Sequence, residues 1–431
     1  MLEKFTNFIE QKMAGPMNKL ANQRHLRAIR DGIIATLPLI IIGSFFLIVA
    51  FPPLPASWGI SQFLTENAAT ILLPYRMTMY IMSLYATFGI GASLAKSYGL
   101  DVISGGILAT IAFLLTFIPV NIPPEAAEAA GTAGFVLPMA NLGGGGMFVG
   151  IIVSILAIEI YRLTDKSKFK ITMPEQVPPA VARSFESLTP TLIVILGIST
   201  ITYFLGFDWH SAIAKVVGPL VHAADTLPSV LLLIFLITFF WSFGIHGVSI
   251  IGSIARPLWL QLLEGNTSAL AAGEALPSIG AEPFYQWFIW IGGSGCTIGL
   301  AILLAFTAKS KYGSKLGKAV LTPSIFNINE PVIFGVPIVL NPILMVPFVL
   351  TPMICATIAW FVTKAGLVNA VTVTAPWTLP GPIGAFLATG GDWRAAVLNV
   401  VLIIVSIVCY YPFVKMYDNN ELAKERGEVQ A

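Results

Sequence analysis

The residues best suited to chemistry are the few polar ones set in apolar surroundings. Glu330, within TPSIFNINEPVIFGVPIVLNP, is the only formal charge between Lys318 and Lys364. An ionisable group in a membrane-embedded stretch costs at least about 2.5 kcal/mol on insertion scales, which makes it a functional candidate. Asn327 and Asn329 place amide donors and acceptors beside that carboxylate, a combination suited to gripping sugar hydroxyls in a protected cavity. His246, in FFWSFGIHGVSIIG, is the only titratable side chain between Asp225 and Arg256. Gly244 and Gly247 flank it and permit a bend and close backbone approach, and Trp241 lies just upstream. Trp377, in VTAPWTLPGPIGAFLATGG, stands in a stretch broken by Pro and Gly, where its face can stack on the C–H face of a pyranose. Each residue has a competing structural account: a half-helix cap for Glu330, a packing residue for His246, an interfacial anchor for Trp377.

Other chemistries find little support. Cys296, Cys355 and Cys409 all fall within apolar segments, without CxxC spacing or clustered histidine. Three buried, unreactive thiols are expected, and no metal. The run Gly143–Gly146 lacks the GK[ST] ending of a phosphate-binding loop and reads as close helix packing or a hinge, with Asn141 beside it. No cofactor and no nucleic-acid partner are expected.

The elements that must position these residues are membrane helices. Hydrophobic residues make up 56% of the chain and charged residues only 11%, against roughly a quarter charged in soluble domains. Gly32 to Phe51 supplies one charge-free span, and others lie in 102–124, 129–158, 188–207, 226–255, 283–308, 365–391 and 395–414. The expected fold is all-α and polytopic, with eight to ten spans. Pro and Gly inside many of them predict broken or re-entrant segments, which membrane depth tolerates only where protein or a wet cavity covers the backbone.

Lys4, Lys12, Lys19, Arg24, Arg27 and Arg30 precede the first span and predict a cytoplasmic N-terminus, with Leu2, Phe5, Ile9 and Met13 on one face of an amphipathic surface helix. Residues 97–161 contain neither Lys nor Arg, so the loop at 123–134 reads as external, whereas Lys415 and the charged tail return the C-terminus to the cytoplasm. No cleavable signal peptide is visible. Two halves are expected around a polar middle. Residues 1–185 form the first half, 186–227 a linking stretch in which Trp209, Ile213, Val216 and Leu220 line an interfacial helix, and 228–431 the second half.

FGIHG around His246 and NINEPVIFG around Glu330 resemble the two signature elements of phosphotransferase system enzyme IIC, in the lactose, cellobiose and N,N'-diacetylchitobiose family. NQRHLRAIRDGIIATLPLIIIGS and APWTLPGPIGAFLATGGDWR resemble its opening and its late re-entrant region, so the likeness covers nearly the whole chain. The resemblance implies about ten transmembrane helices, two re-entrant hairpins and a homodimer in a bacterial cell membrane, with 1–185 as the scaffold that joins the protomers and 228–431 carrying the transported substrate. It implies a transport component, not an autonomous enzyme, which presents a β-linked disaccharide (cellobiose or N,N'-diacetylchitobiose) to a phosphocysteine on IIB, with IIA upstream. Glu330 and His246 would serve catalysis and bind sugar, with Asn327, Asn329, Trp241 and Trp377 shaping the pocket. Loss of the attacking hydroxyl's proton is a task for a carboxylate or imidazole. No cysteine here has a soluble-domain context, so IIB and IIA are expected on separate polypeptides. The rival reading is an ion-coupled secondary transporter in which Glu330 and His246 relay protons.

Overall fold

The computed structural model describes residues 23–427 except 56, 127–130, 175 and 337. The amphipathic segment around Leu2, Phe5, Ile9 and Met13 lies outside these, as does Pro337. In chain order the principal helices are α1 (Arg24–Ala35), α2 (Leu37–Ala50), α3 (Met82–Tyr98), α4 (Val102–Leu114), α5 (Met147–Asp165), α6 (Leu188–Ser199), α7 (Trp209–Ala224) and α8 (Leu227–Ser242). There follow α9 (Gly247–Ala272), α10 (Glu282–Phe288), α11 (Ile298–Thr307), α12 (Lys311–Ile325), α13 (Glu330–Gly335), α14 (Pro342–Lys364), α15 (Gly381–Ala388) and α16 (Trp393–Glu425).

Among the described residues, five helical stretches are long and apolar enough to cross a membrane, and seven if each bent pair is one span. The bent pairs are α1–α2, at 40°, and α7–α8, at 80°. The shorter apolar helices α4 and α11 bring the helical count closer to that expected from the charge-free runs. The chain is thus a helical membrane protein. Its one sheet among the described residues is an antiparallel hairpin, β1 (Val120–Ile122) with β2 (Gly134–Val136), in the loop read as external.

The chain divides into two compact units, with breaks inside α2 and α7. One comprises residues 23–43 and Pro74–Leu220. In it α3 packs against α1, α4 and α5, and an apolar core gathers Phe113, Phe117, Val153 and Tyr161. Helix α4 starts where Asp101 accepts the Ser104 amide at 2.8 Å, satisfying one of the helix's orphan donors. A Cβ on Gly91 would lie 2.5 Å from the Gly105 carbonyl, so the α3–α4 contact is close because both residues lack side chains. Trp209 and Ile213 of α7 pack on this core while Val216 and Leu220 remain exposed, the amphipathic pattern expected of an interfacial helix.

The other unit comprises Ser44–Leu73 and residues 221–427, so the segment after α2 groups with the C-terminal half although it precedes most of the first unit in sequence. Helix α16 is its spine and packs on α11, α14 and α15. Two stretches of irregular backbone interrupt it, residues 289–297 and 368–380. Polar side chains on one face of α16 satisfy the first and the end of α10 before it: Ser406 donates to the Cys296 carbonyl, Tyr410 to that of Gly295 and Asn399 to that of Trp287 in α10. Asn266 serves the second, donating to the Ser278 and Val371 carbonyls and accepting the Ser278 amide. Unpaired backbone polar groups would be costly in so apolar a setting, and these bonds remove that cost. Cys296 and Cys355 are buried, as expected, with sulfurs 3.8 Å apart. Cys409 departs from the expectation: it is only partly buried, because its helix, α16, turns a face away from the unit.

Candidate functional site

The site is built from α8, α9, α13 and the two irregular segments, all within the second unit. Helix α8 ends at Ser242, and Gly244 takes the left-handed φ of +74° that reverses the chain into α9. His246 is the N-cap of α9. Its Nδ1 accepts the Ser249 amide at 3.1 Å and lies 2.9 Å from the Ser249 hydroxyl. A backbone amide can only donate, so Nδ1 carries no proton and the neutral ring holds its proton on Nε2. The buried Trp241 packs its ring against the imidazole, with centroids 4.3 Å apart. Gly247 is required by proximity: a Cβ there would sit 2.1 Å from the Ile237 carbonyl of α8.

Glu330 is the first residue of α13, a six-residue helix with Pro331 at its start. The N-cap is Asn329, with no side-chain capping bond, so Glu330 does not cap this half-helix. Its side chain is exposed, and among the described residues the carboxylate has no hydrogen bond or ion pair. Phe334, four residues on, shares a helical face with Glu330. The Phe334 ring meets Trp241 edge-on at 6.3 Å. The Leu340 amide, just beyond α13, donates to the Ser242 carbonyl at 2.9 Å. Helix α13 is therefore tied to the α8–α9 turn, and His246, Trp241, Phe334 and Glu330 belong to one continuous structure.

The asparagines lie beside Glu330 but spend their amides on backbone. Asn327, at φ +60°, donates from Nδ2 to the Trp377 and Leu379 carbonyls at 2.9 and 3.0 Å, and its Oδ1 accepts the Gly292 amide at 2.9 Å. Asn329 donates to the Ser294 carbonyl at 2.6 Å. Both are buried. With both Nδ2 protons of Asn327 bonded to backbone carbonyls, the side chain brackets two loops together. Sequence patterns cannot distinguish an amide that faces ligand from one that faces backbone. The bracket brings Trp377, half exposed at 52%, to the Asn327–Glu330 segment through its carbonyl.

Two features escaped the sequence reading. Phe334 looked like one more apolar residue in NEPVIFG, although its spacing from Glu330 was a usable signal. The loop IGGSGC, residues 291–296, receives both asparagines. Gly292, Gly293 and Gly295 all have left-handed φ, and a Cβ on Gly293 would meet Asn329 at 2.3 Å. Three glycines within four positions, in a charge-free span, were the available clue. Asn141 belongs to the first unit. It lines a cavity of about 230 Å³ there, with Thr116, Phe117, Asp208 and His210.

Two ion pairs brace the surroundings. Arg256 of α9 meets Glu282 of α10 at 2.9 Å. Asp392 caps α16, accepting the Arg394 amide and guanidinium and the Asn369 amide. Burial pushes the Asp392 carboxyl upward, but the bonds from Arg394 and Asn369 outweigh it and hold its pKa below the ordinary value.

Comparison with known proteins gives a consistent result. The family described as "Phosphotransferase system, EIIC" matches residues 30–352. The lichenan permease IIC component of Bacillus subtilis (strain 168) is 38% identical over 98% of this chain and 96% of its own length. The cellobiose-specific EIIC component of Geobacillus stearothermophilus is 36% identical over 99% of this chain and 97% of its own. The crystal structure of ChbC, the IIC component from the N,N'-diacetylchitobiose-specific phosphotransferase system, superposes with a TM-score of 0.89 at 35% identity, covering 98% of this chain and 100% of that one. Near-complete coverage in both directions favours the phosphotransferase reading over the ion-coupled rival. The chain belongs to the phosphotransferase system EIIC family: it is a membrane permease component whose substrate is a sugar and whose partner is a IIB protein.

Proposed function

We propose that this permease imports a β-linked disaccharide, cellobiose or N,N'-diacetylchitobiose, and presents its primary hydroxyl to phospho-IIB. The observation that carries the reading is the exposed Glu330 carboxylate on one continuous structure with Phe334, Trp241 and His246. In this reading Glu330 accepts the hydroxyl proton as the sugar oxygen attacks phosphorus on the IIB cysteine. The new O–P bond replaces the S–P bond, and the cysteine leaves as thiolate. With Nδ1 occupied by the Ser249 amide, His246 acts through Nε2–H as a donor to a sugar oxygen and Glu330 is the base. Trp377 offers a face to a pyranose ring, the buried Trp241 backs the His246 imidazole, and Asn327 holds the loop that carries Trp377. Once Glu330 has released the hydroxyl proton to water, its carboxylate repels the doubly charged product, which leaves.

The relatives named for lichenan, cellobiose, oligo-beta-mannoside and diacetylchitobiose support a β-linked substrate. The same proposal includes a homodimer joined through residues 1–185, a substrate-carrying part formed by 228–431, and IIA upstream of IIB. Lys and Arg flanking the spans support cytoplasmic N- and C-termini. The test is sugar phosphorylation by protein reconstituted in vesicles and supplied with phospho-IIB. Glu330→Gln is expected to lower the rate about 100-fold, the low end of what general-base catalysis contributes. A normal rate in that variant would remove the role given to the carboxylate.

A further inference from the structure

A second built site lies at the far end of α16 from Asp392. A cavity of about 180 Å³ there is lined by Thr307, Lys309, Tyr411, Lys415, Asp418 and Asn419. Neither Lys309 nor Lys415 has an ion pair among the described residues. The nearby carboxylate is committed elsewhere: Asp418 accepts the Lys309 and Ser310 amides at 2.7 and 3.0 Å and the Ser310 hydroxyl at 2.5 Å, which opens α12. The cavity is thus lined by two lysines against one carboxylate, a net positive charge of one, with Asn419 beside them.

What leads into it is apolar. Val397, Val401, Ile404, Val408 and Tyr411 recur every three or four residues along α16, each between 43% and 66% exposed, and Lys415 continues the series. At 1.5 Å per residue, Val397 to Lys415 spans about 27 Å. That is close to the hydrocarbon thickness of a bilayer, about 30 Å, so the stripe ends in lysine at headgroup depth. Phe306, 76% exposed, lies next to Thr307 at the cavity's edge.

We propose that this cavity binds the phosphate of an anionic phospholipid whose acyl chains lie along the α16 stripe. The stripe selects a lipid over a soluble anion, and the paired lysines select a net negative headgroup. The leaflet, though not the site, rests on the cytoplasmic orientation proposed above.

The test uses detergent-purified full-length protein with added phosphatidylglycerol, phosphatidylcholine of the same chains, or inorganic phosphate, followed by native mass spectrometry and thermal melting. Phosphatidylglycerol alone is expected to be retained and to raise the melting temperature. Retention should fall about five-fold for each lysine removed in Lys309→Gln/Lys415→Gln, with sugar binding intact, since neither residue belongs to the sugar site. If the double variant does not fold, Lys415→Gln alone, on an exposed helix face, should show the single five-fold loss. Equal stabilisation by inorganic phosphate would make this a soluble-anion site, and equal retention of phosphatidylcholine would show that headgroup charge is not read. Either result overturns the proposal, as does undiminished phosphatidylglycerol retention in the variants. Undiminished retention with loss of IIB-dependent phosphorylation would reassign the lysines to a protein contact.

Discussion

The bond from the Ser249 amide to His246 Nδ1 gives the imidazole two roles, helix cap and donor through Nε2, and the two can be separated. Asparagine is a good N-cap but its amide does not reach as far as Nε2. His246→Asn should therefore keep the melting temperature within a degree or two while weakening sugar binding about ten-fold. His246→Ala should lose both, with about 1 kcal/mol of stability. Thermal melting beside calorimetry checks this, and unimpaired sugar binding in His246→Asn would mean the ring acts only as a cap. At this scale the sequence was informative where chemistry is expensive. Glu330 and His246 stood out because a bilayer penalises ionisable groups. Phe334 did not, because one aromatic among 28 phenylalanines carries no such signal.

At the scale of elements, Asn327 joins the Gly292 loop to the Trp377–Leu379 segment. Asn327→Ala leaves one amide and two carbonyls without their partner. It should destabilise the protein by about 3 kcal/mol and weaken sugar binding indirectly, as measured by denaturation and calorimetry. Gly293→Ala should be comparably harmful, since its Cβ would meet Asn329 at 2.3 Å while forcing a methyl-bearing residue to a φ of +97°. Asp392 adds a pH dependence. Its folded pKa is lowered, so its stabilisation is present above the ordinary carboxylate value, near 3.9, and is lost as pH falls through the lower folded value. Asp392→Asn should lower the melting temperature at neutral pH and flatten the acid limb of the curve, so that variant and parent converge as pH falls through the folded value. The break-prone stretches were legible from Pro and Gly, whereas the side chains that satisfy their backbone were not. Asn266, Asn399 and Tyr410 act across long sequence separations that local patterns do not record.

For the whole molecule, composition and charge-free runs announced a helical membrane protein directly, because the bilayer constrains composition more severely than any fold does. The grouping of Ser44–Leu73 with residues 221–427 was not legible, since a linear reading assigns neighbours in sequence to one part. The hairpin of β1 and β2 was missed because its strands are only three residues each. The proposed orientation is checked by labelling single cysteines in a background lacking Cys296, Cys355 and Cys409. A cysteine at Thr132, beside β2, should react with an impermeant reagent in intact cells, and one at Lys168 should react only after lysis.

The account rests most heavily on Glu330 and His246 serving one sugar site, and calorimetry of purified protein with cellobiose, N,N'-diacetylchitobiose and lactose tests it most directly. Saturable binding of one β-disaccharide, weakened at least about ten-fold (1.4 kcal/mol) in both Glu330→Gln and His246→Ala, is the predicted result. Saturable binding unchanged in both variants would contradict it and place the sugar elsewhere.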